Sequence, residues 1–76
     1  DLTRREFQLL QALYHRPGRV YSRSQLMRLV FPDDRTIFER TIDSHIKNIR
    51  NKVKAIEPDV DYIRSVYGVG YAFEEP

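Results

Sequence analysis

The chain has 76 residues and no cysteine, with 13 Lys and Arg against 11 Asp and Glu and a hydrophobic content of 41%. That length makes one small domain, residues 1–76, with little core to spare. Without cysteine it has neither a disulfide framework nor a thiolate metal site, and this fits a cytoplasmic setting. No apolar run approaches the ~20 residues of a membrane span, and the opening Asp1-Leu2-Thr3-Arg4 is not a signal peptide.

The first element is a helix. Thr3-Arg4-Arg5-Glu6 is a capping box, in which the Thr3 hydroxyl accepts from the Glu6 amide and the Glu6 carboxylate reaches back. Leu2 and Phe7 flank it at the spacing of a hydrophobic staple. Phe7, Leu10, Leu13 and Tyr14, with Leu9 alongside, predict one apolar face, and Arg16-Pro17-Gly18 stops the helix. Arg19-Val20-Tyr21 is short, extended and β-favouring, and needs a partner strand from elsewhere. Ser22-Arg23-Ser24-Gln25 is a second capping box. It opens a helix with Leu26, Leu29 and Val30 as its buried stripe, ended by Phe31-Pro32.

The third helix begins either at a further capping box, Thr36-Ile37-Phe38-Glu39, or nearer Glu39, and runs to about Ile56. Ile42, Ile46, Ile49, Val53 and Ile56 recur at intervals of 4, 3, 4 and 3, all within roughly 40° of one line. A hairpin follows. Tyr62 to Val66 alternates as a strand does, Gly68-Val69-Gly70 supplies positions that tolerate positive φ, and Tyr71-Ala72-Phe73 returns. A hairpin alone is marginal, so it requires helices or a third strand, for which Arg19 to Tyr21 is available.

The charge is unevenly placed. Arg40, Lys47, Arg50, Lys52 and Lys54 stand close together on the third helix with Asp43 as the single acid among them. Opposite the isoleucines lie Arg40, Ser44, Lys47, Asn51 and Lys54, flanked by Asp43 and Asn48. A basic stripe is either a solvated helix face or the footprint of a polyanion. The residue types suit the second. Arg40 can fork onto guanine or a phosphate, Asn48 and Asn51 can pair with adenine, and Lys47 and Lys54 suit phosphate. Asp43 either orients Arg40 or Lys47, its neighbours on the helix, or accepts from cytosine. His45 is either half-buried or a phosphate donor, and Tyr67 is either a wing-tip contact or an ordinary exposed aromatic.

Three helices and a hairpin make an α+β, mainly α, winged helix-turn-helix with a short strand between the first two helices. Catalysis finds no support: His15 and His45 have no nucleophile or orienting partner, no metal-ligand spacing occurs, and Gly68-Val69-Gly70 is a turn rather than a phosphate loop. No cofactor or metal is called for. A winged helix used only for protein contacts would bind without regard to DNA sequence. An RNA-binding or architectural module would want aromatic platforms or wedges, which the outer face lacks.

Several runs together resemble the effector domain of OmpR/PhoB-type response regulators. They are Leu2-Thr3 with Glu6-Phe7 and Leu9-Leu10; Val20-Tyr21-Ser22-Arg23 with Gln25-Leu26; Arg40-Thr41-Ile42-Asp43-Ser44-His45-Ile46-Lys47-Asn48-Ile49-Arg50 with Lys52; and Ile63-Arg64 with Val66-Tyr67-Gly68-Val69-Gly70-Tyr71 and Phe73. The resemblance spans the chain in order and implies a transcription-regulating output domain of a two-component system. Its third helix would enter the major groove of double-stranded DNA and its wing the minor groove. In the family a receiver domain fed by a sensor histidine kinase comes first, then an N-terminal antiparallel sheet. Neither is in this sequence, so the resemblance implies a truncated effector domain with apolar surface open on its first helix. It further implies head-to-tail binding to tandem direct repeats, and contact with RNA polymerase through the loop at residues 31–38, which Phe31 and Phe38 bound.

By motif position the resemblance assigns DNA contacts to Arg40, Asp43, Ser44, His45, Lys47, Asn48 and Arg50 on the helix, to Phe31 ahead of it, and to Ser65, Tyr67, Gly68 and Tyr71 on the wing. Asn51 and Lys54 join them from the outer-face pattern. Tyr67 and Asn48 stand where some relatives carry arginine. If one domain neutralises about five phosphates, log K falls with log salt at a slope of roughly −4 to −5.

Overall fold

The computed structural model describes residues 1–33 and 37–75. The elements run α1 (Arg4–Tyr14), β1 (Tyr21–Ser22), α2 (Arg23–Val30), α3 (Arg40–Ile56), β2 (Ile63–Val66) and β3 (Gly70–Phe73). Both expected capping boxes form. Thr3 Oγ1 accepts from the Glu6 amide at 3.2 Å and the Thr3 amide donates to Glu6 Oε1 at 3.0 Å. The Ser22 amide donates to Gln25 Oε1 at 2.8 Å, and Ser22 Oγ accepts from the Gln25 amide at 3.1 Å. Each box satisfies donors that a helix start leaves orphaned. α3 begins at the later of its two expected starts, with Glu39 as a cap that makes no side-chain capping bond. Thr36, the other candidate, lies outside the described residues.

The three strands form one antiparallel sheet in the order β1-β3-β2. β2 and β3 pair Ile63 with Phe73 and Ser65 with Tyr71, while β1 pairs Tyr21 with Tyr71 and Ser22 with Gly70. The third strand is therefore Tyr21–Ser22, beginning two residues later and ending one later than the Arg19-to-Tyr21 expectation, and Ser22 serves both the sheet and the cap of α2. Gly68 turns the hairpin with φ of +77°. Gly70 has a different reason to be glycine. A Cβ there would stand 1.8 Å from the Tyr21 carbonyl oxygen, so it is the close approach of β1, not a positive φ, that requires it.

The core joins Leu9 and Leu13 of α1, Leu26 and Val30 of α2, and Ile42, Ile46 and Ile49 of α3, all essentially without exposure. Tyr21, Ile63 and Phe73 attach the sheet to it. Each such aliphatic side chain contributes about 1.5–3 kcal/mol on burial.

Three expected stripes shift. On α1 the buried line is Glu6, Leu9 and Leu13, whereas Phe7 and Tyr14 are 55% and 59% exposed. Those two lie roughly 120–140° around the helix from the Leu9–Leu13 midline. With Leu10, Val53, Tyr62 and Phe73 they line an open groove of about 520 Å³ instead. Leu29 is exposed because α2 packs on the Leu26–Val30 line, roughly 80° away. Ile56 is also exposed and Val53 only half-buried, because α3 runs past the end of the core at its last turn.

Candidate nucleic-acid interface

α3 has three kinds of face. Ile42, Ile46 and Ile49 point into the core and fix the helix rigidly. Directly opposite, Arg40, Ser44, Lys47, Asn48, Asn51 and Lys54 are all exposed. The guanidinium of Arg40 rests over the Phe38 ring at 5.3 Å, a cation–π contact that leaves its donors facing outward. Ser44 Oγ reaches back to the Arg40 carbonyl at 3.4 Å. This face presents three cations, two amides and a hydroxyl on one straight rod.

The flank between these faces is occupied by residues that bond within the molecule. Asp43 does not pair with Arg40 or Lys47, as its helix spacing had suggested. Its Oδ1 accepts from the Tyr71 hydroxyl at 2.6 Å, and its Oδ2 from Arg23 Nη1 at 2.9 Å. Tertiary partners from α2 and β3 come closer than the i−3 and i+4 neighbours, whose long side chains extend towards solvent. Burial, the hydrogen bond to Asp43 and the Asp43 charge push the Tyr71 hydroxyl up to about 12. Tyr71 therefore stays a donor at any working pH. Arg23 also meets Glu39 at 3.5 Å, and Glu39 accepts from Ser24 Oγ at 2.7 Å. Two turns along, Arg50 Nη2 donates to the Ile63 carbonyl at 2.6 Å and to Ser65 Oγ at 2.9 Å. Lys52 turns to the far side and donates to the buried Glu6 at 2.6 Å.

Of the five cations counted on this helix, Arg50 and Lys52 are thus held by the fold, whereas Arg40, Lys47 and Lys54 have no acidic partner among the described residues. His45 is half-buried and stacks on Phe31 with centroids 5.9 Å apart, while Arg5 covers the other aromatic contact at 4.7 Å from the Phe31 centroid. His45 Nδ1 is buried and has no hydrogen-bond partner among the described residues. Tyr67 is fully exposed at the tip of the hairpin beside Gly68. Asp43, Ser65, Tyr67, Gly68 and Tyr71 all line one open cleft between α3 and the hairpin, together with Arg23 and Glu39. Arg23 and Glu39 are the members that sequence reasoning missed as site residues. Arg23 reads as filler inside a capping box and Glu39 as a cap, and no local pattern announces a partner twenty residues away.

A family described as "Transcriptional regulatory protein, C terminal" matches residues 1–73. The chain belongs to that family. It is an output domain of OmpR/PhoB type, from a class of transcriptional regulators that bind DNA rather than catalyse. It is 51% identical over 74 residues to the transcriptional regulatory protein BaeR of Escherichia coli, covering 97% of this chain and 31% of BaeR. The output domain thus spans about a third of the length of that curated relative. Two solved structures share its fold. The DNA-binding domain of the response regulator AdeR, in complex with an intercistronic region, superposes with a TM-score of 0.84 at 29% identity, over 100% of this chain and 77% of that one. The DNA-binding domain of CpxR from E. coli superposes with a TM-score of 0.80 at 33% identity, over 99% and 74%. No helix among the described residues of this output domain is long and apolar enough to cross a membrane.

Proposed function

We propose that this domain docks on double-stranded DNA with α3 in the major groove and the β2–β3 wing along the adjacent minor groove, selecting promoters by base contacts. The observation that carries the reading is the open face of α3, where Arg40, Lys47 and Lys54 alternate with Ser44, Asn48 and Asn51 opposite buried isoleucines. Cations neutralise phosphate and set register, whereas amides and guanidinium read base edges. Phe31 and His45 stand at the start of this face and approach the backbone. Tyr67 and Gly68 bring the wing tip to the minor groove, where tyrosine supplies contact area without charge. Asp43, Ser65 and Tyr71 complete the surface at the cleft, and Arg50 adjoins it through its hydrogen bond to Ser65.

In the intact protein a receiver domain precedes this unit and answers to a sensor kinase in the cytoplasm. Two copies bind tandem direct repeats head to tail, and residues 31–38, of which 34–36 lie outside the described set, meet RNA polymerase. The test is salt-dependent binding to a random-site library with selection. Enrichment of a direct repeat is expected, with affinity falling as salt rises. Arg40→Ala is expected to cost about 1–3 kcal/mol and to relax one base position. Lys47→Ala is expected to weaken all sites alike and to flatten the salt slope by about 1. Unchanged affinity in both variants refutes the docking.

A further inference from the structure

The recognition helix grips the wing at two points on one flank. Asp43 and Arg50 are seven residues apart, which on a helix is about 10.5 Å and nearly the same angle. Asp43 holds Tyr71 on β3, and Arg50 holds Ile63 and Ser65 on β2. Tyr71 and Ser65 face one another across the hairpin, so both strands are seized at the same register. The second Asp43 oxygen takes Arg23 at the start of α2, so three elements meet on a single carboxylate.

Resting on the docking described above, we propose that Asp43 is a positioning residue whose carboxylate locks the wing, through Tyr71, at one angle to α3, so that major-groove and minor-groove contacts form together. Both of its oxygens are already occupied. Turning the carboxylate towards a cytosine would leave the Tyr71 hydroxyl unpaired and Arg23 with Glu39 alone, and an unpaired polar group next to DNA is unfavourable. A wing held in its bound orientation before binding saves ordering entropy on association. The persistent donor character of Tyr71 keeps the lock closed across the working pH range. The wing also stays anchored by its pairing with β1 and by Ile63 and Phe73 in the core. Opening the lock therefore loosens the wing's angle without detaching it.

The experiment compares Tyr71→Phe, Asp43→Ala and the double variant on the selected DNA site, with thermal melts to confirm folding at the assay temperature. Each single variant is expected to weaken binding about three- to ten-fold, the range of one lost hydrogen bond. The double variant is expected to be no worse than Asp43→Ala alone, because that change already removes the acceptor of the Tyr71 hydroxyl. Base preference is expected to stay fixed, and minor-groove footprint protection by the wing to fall while major-groove protection persists. A change of base preference in Asp43→Ala that is absent from Tyr71→Phe would show Asp43 to be a base reader and overturn the proposal. Additive losses in the double variant would also overturn it, as would unchanged binding in both single variants while Lys47→Ala remains weak. If Lys47→Ala and Arg40→Ala bind normally as well, the docking itself fails rather than the lock.

Discussion

Glu6 to Gln is the perturbation whose outcome the structure defines most closely. Glu6 is 3% exposed on the core side of α1, accepting from Lys52 Nζ at 2.6 Å and from the Thr3 amide at 3.0 Å. Glutamine keeps the shape and the capping box but removes the charge. A hydrogen bond to a charged group is worth about 1.5–3 kcal/mol against about 1 kcal/mol for a neutral one. The Lys52 side chain is 40% exposed, so in the variant it rehydrates, and the loss stays well below the ~3–5 kcal/mol of a sealed pair. The expected destabilisation is about 1 kcal/mol, a fall in Tm of roughly 4–8 °C at pH 7 for a domain of this size. The pH dependence identifies the cause. The Lys52 hydrogen bond first, and then the Thr3 amide, hold the Glu6 carboxyl below its usual range. A depressed pKa means that the folded state takes up the proton less readily than the unfolded one. The stabilisation is complete above the ordinary value of about 4.3 and is lost as the pH falls through the depressed value. Melts of both proteins from pH 7 downward should therefore converge in acid. Equal Tm values at pH 7, or a gap that persists unchanged at low pH, would refute the charge argument and leave only packing.

Gly70→Ala forces a methyl group to 1.8 Å from the Tyr21 carbonyl, so β1 must separate from β3; a loss of about 1–3 kcal/mol is expected by denaturant unfolding. Because Arg50 and Lys52 are held by the fold, α3 offers three cations without an acidic partner among the described residues, and the salt slope for one domain should lie near about −3 rather than −4 to −5. Tyr67→Arg places a cation at the fully exposed wing tip. It should tighten binding most on sites whose flanks have a narrow A·T-rich minor groove, which paired binding assays on A·T and G·C flanks measure directly.

What the sequence carried plainly was periodic or capped. The 4-3 spacing of Ile42, Ile46 and Ile49 and the two capping boxes each depend on neighbours within four residues, so local pattern determines them. The errors came where two apolar lines compete. On α1, Phe7, Leu10 and Tyr14 form as good a stripe as Leu9 and Leu13. Only the placement of Lys52, 46 residues away, permits Glu6 to lie in the buried one. Likewise the Asp43 partners were invisible because helix spacing offers Arg40 and Lys47 at once, whereas Arg23 and Tyr71 arrive only through folding. Gly70 was recognised as special for the wrong reason, since a close backbone approach leaves no mark in a one-dimensional sequence.

The same distinction governs how the charge of α3 is read. Counting along the sequence assigns Arg50 and Lys52 to the polyanion face, yet the helix turns them to either side of it, and each finds an acceptor supplied by another element. Arg50 joins the wing to α3, and Lys52 joins α1 to it. Asp43 lies on the same side of the helix as Arg50 and would, if unpaired, repel an approaching phosphate. Accepting from Arg23 and Tyr71 compensates that charge before DNA arrives. The outer face is left with cations alone, Arg40, Lys47 and Lys54, on a helix held by bonds that DNA need not break. A surface built this way should bind with little rearrangement, so its affinity should depend on salt through those three cations and on sequence through Arg40, Asn48 and Asn51.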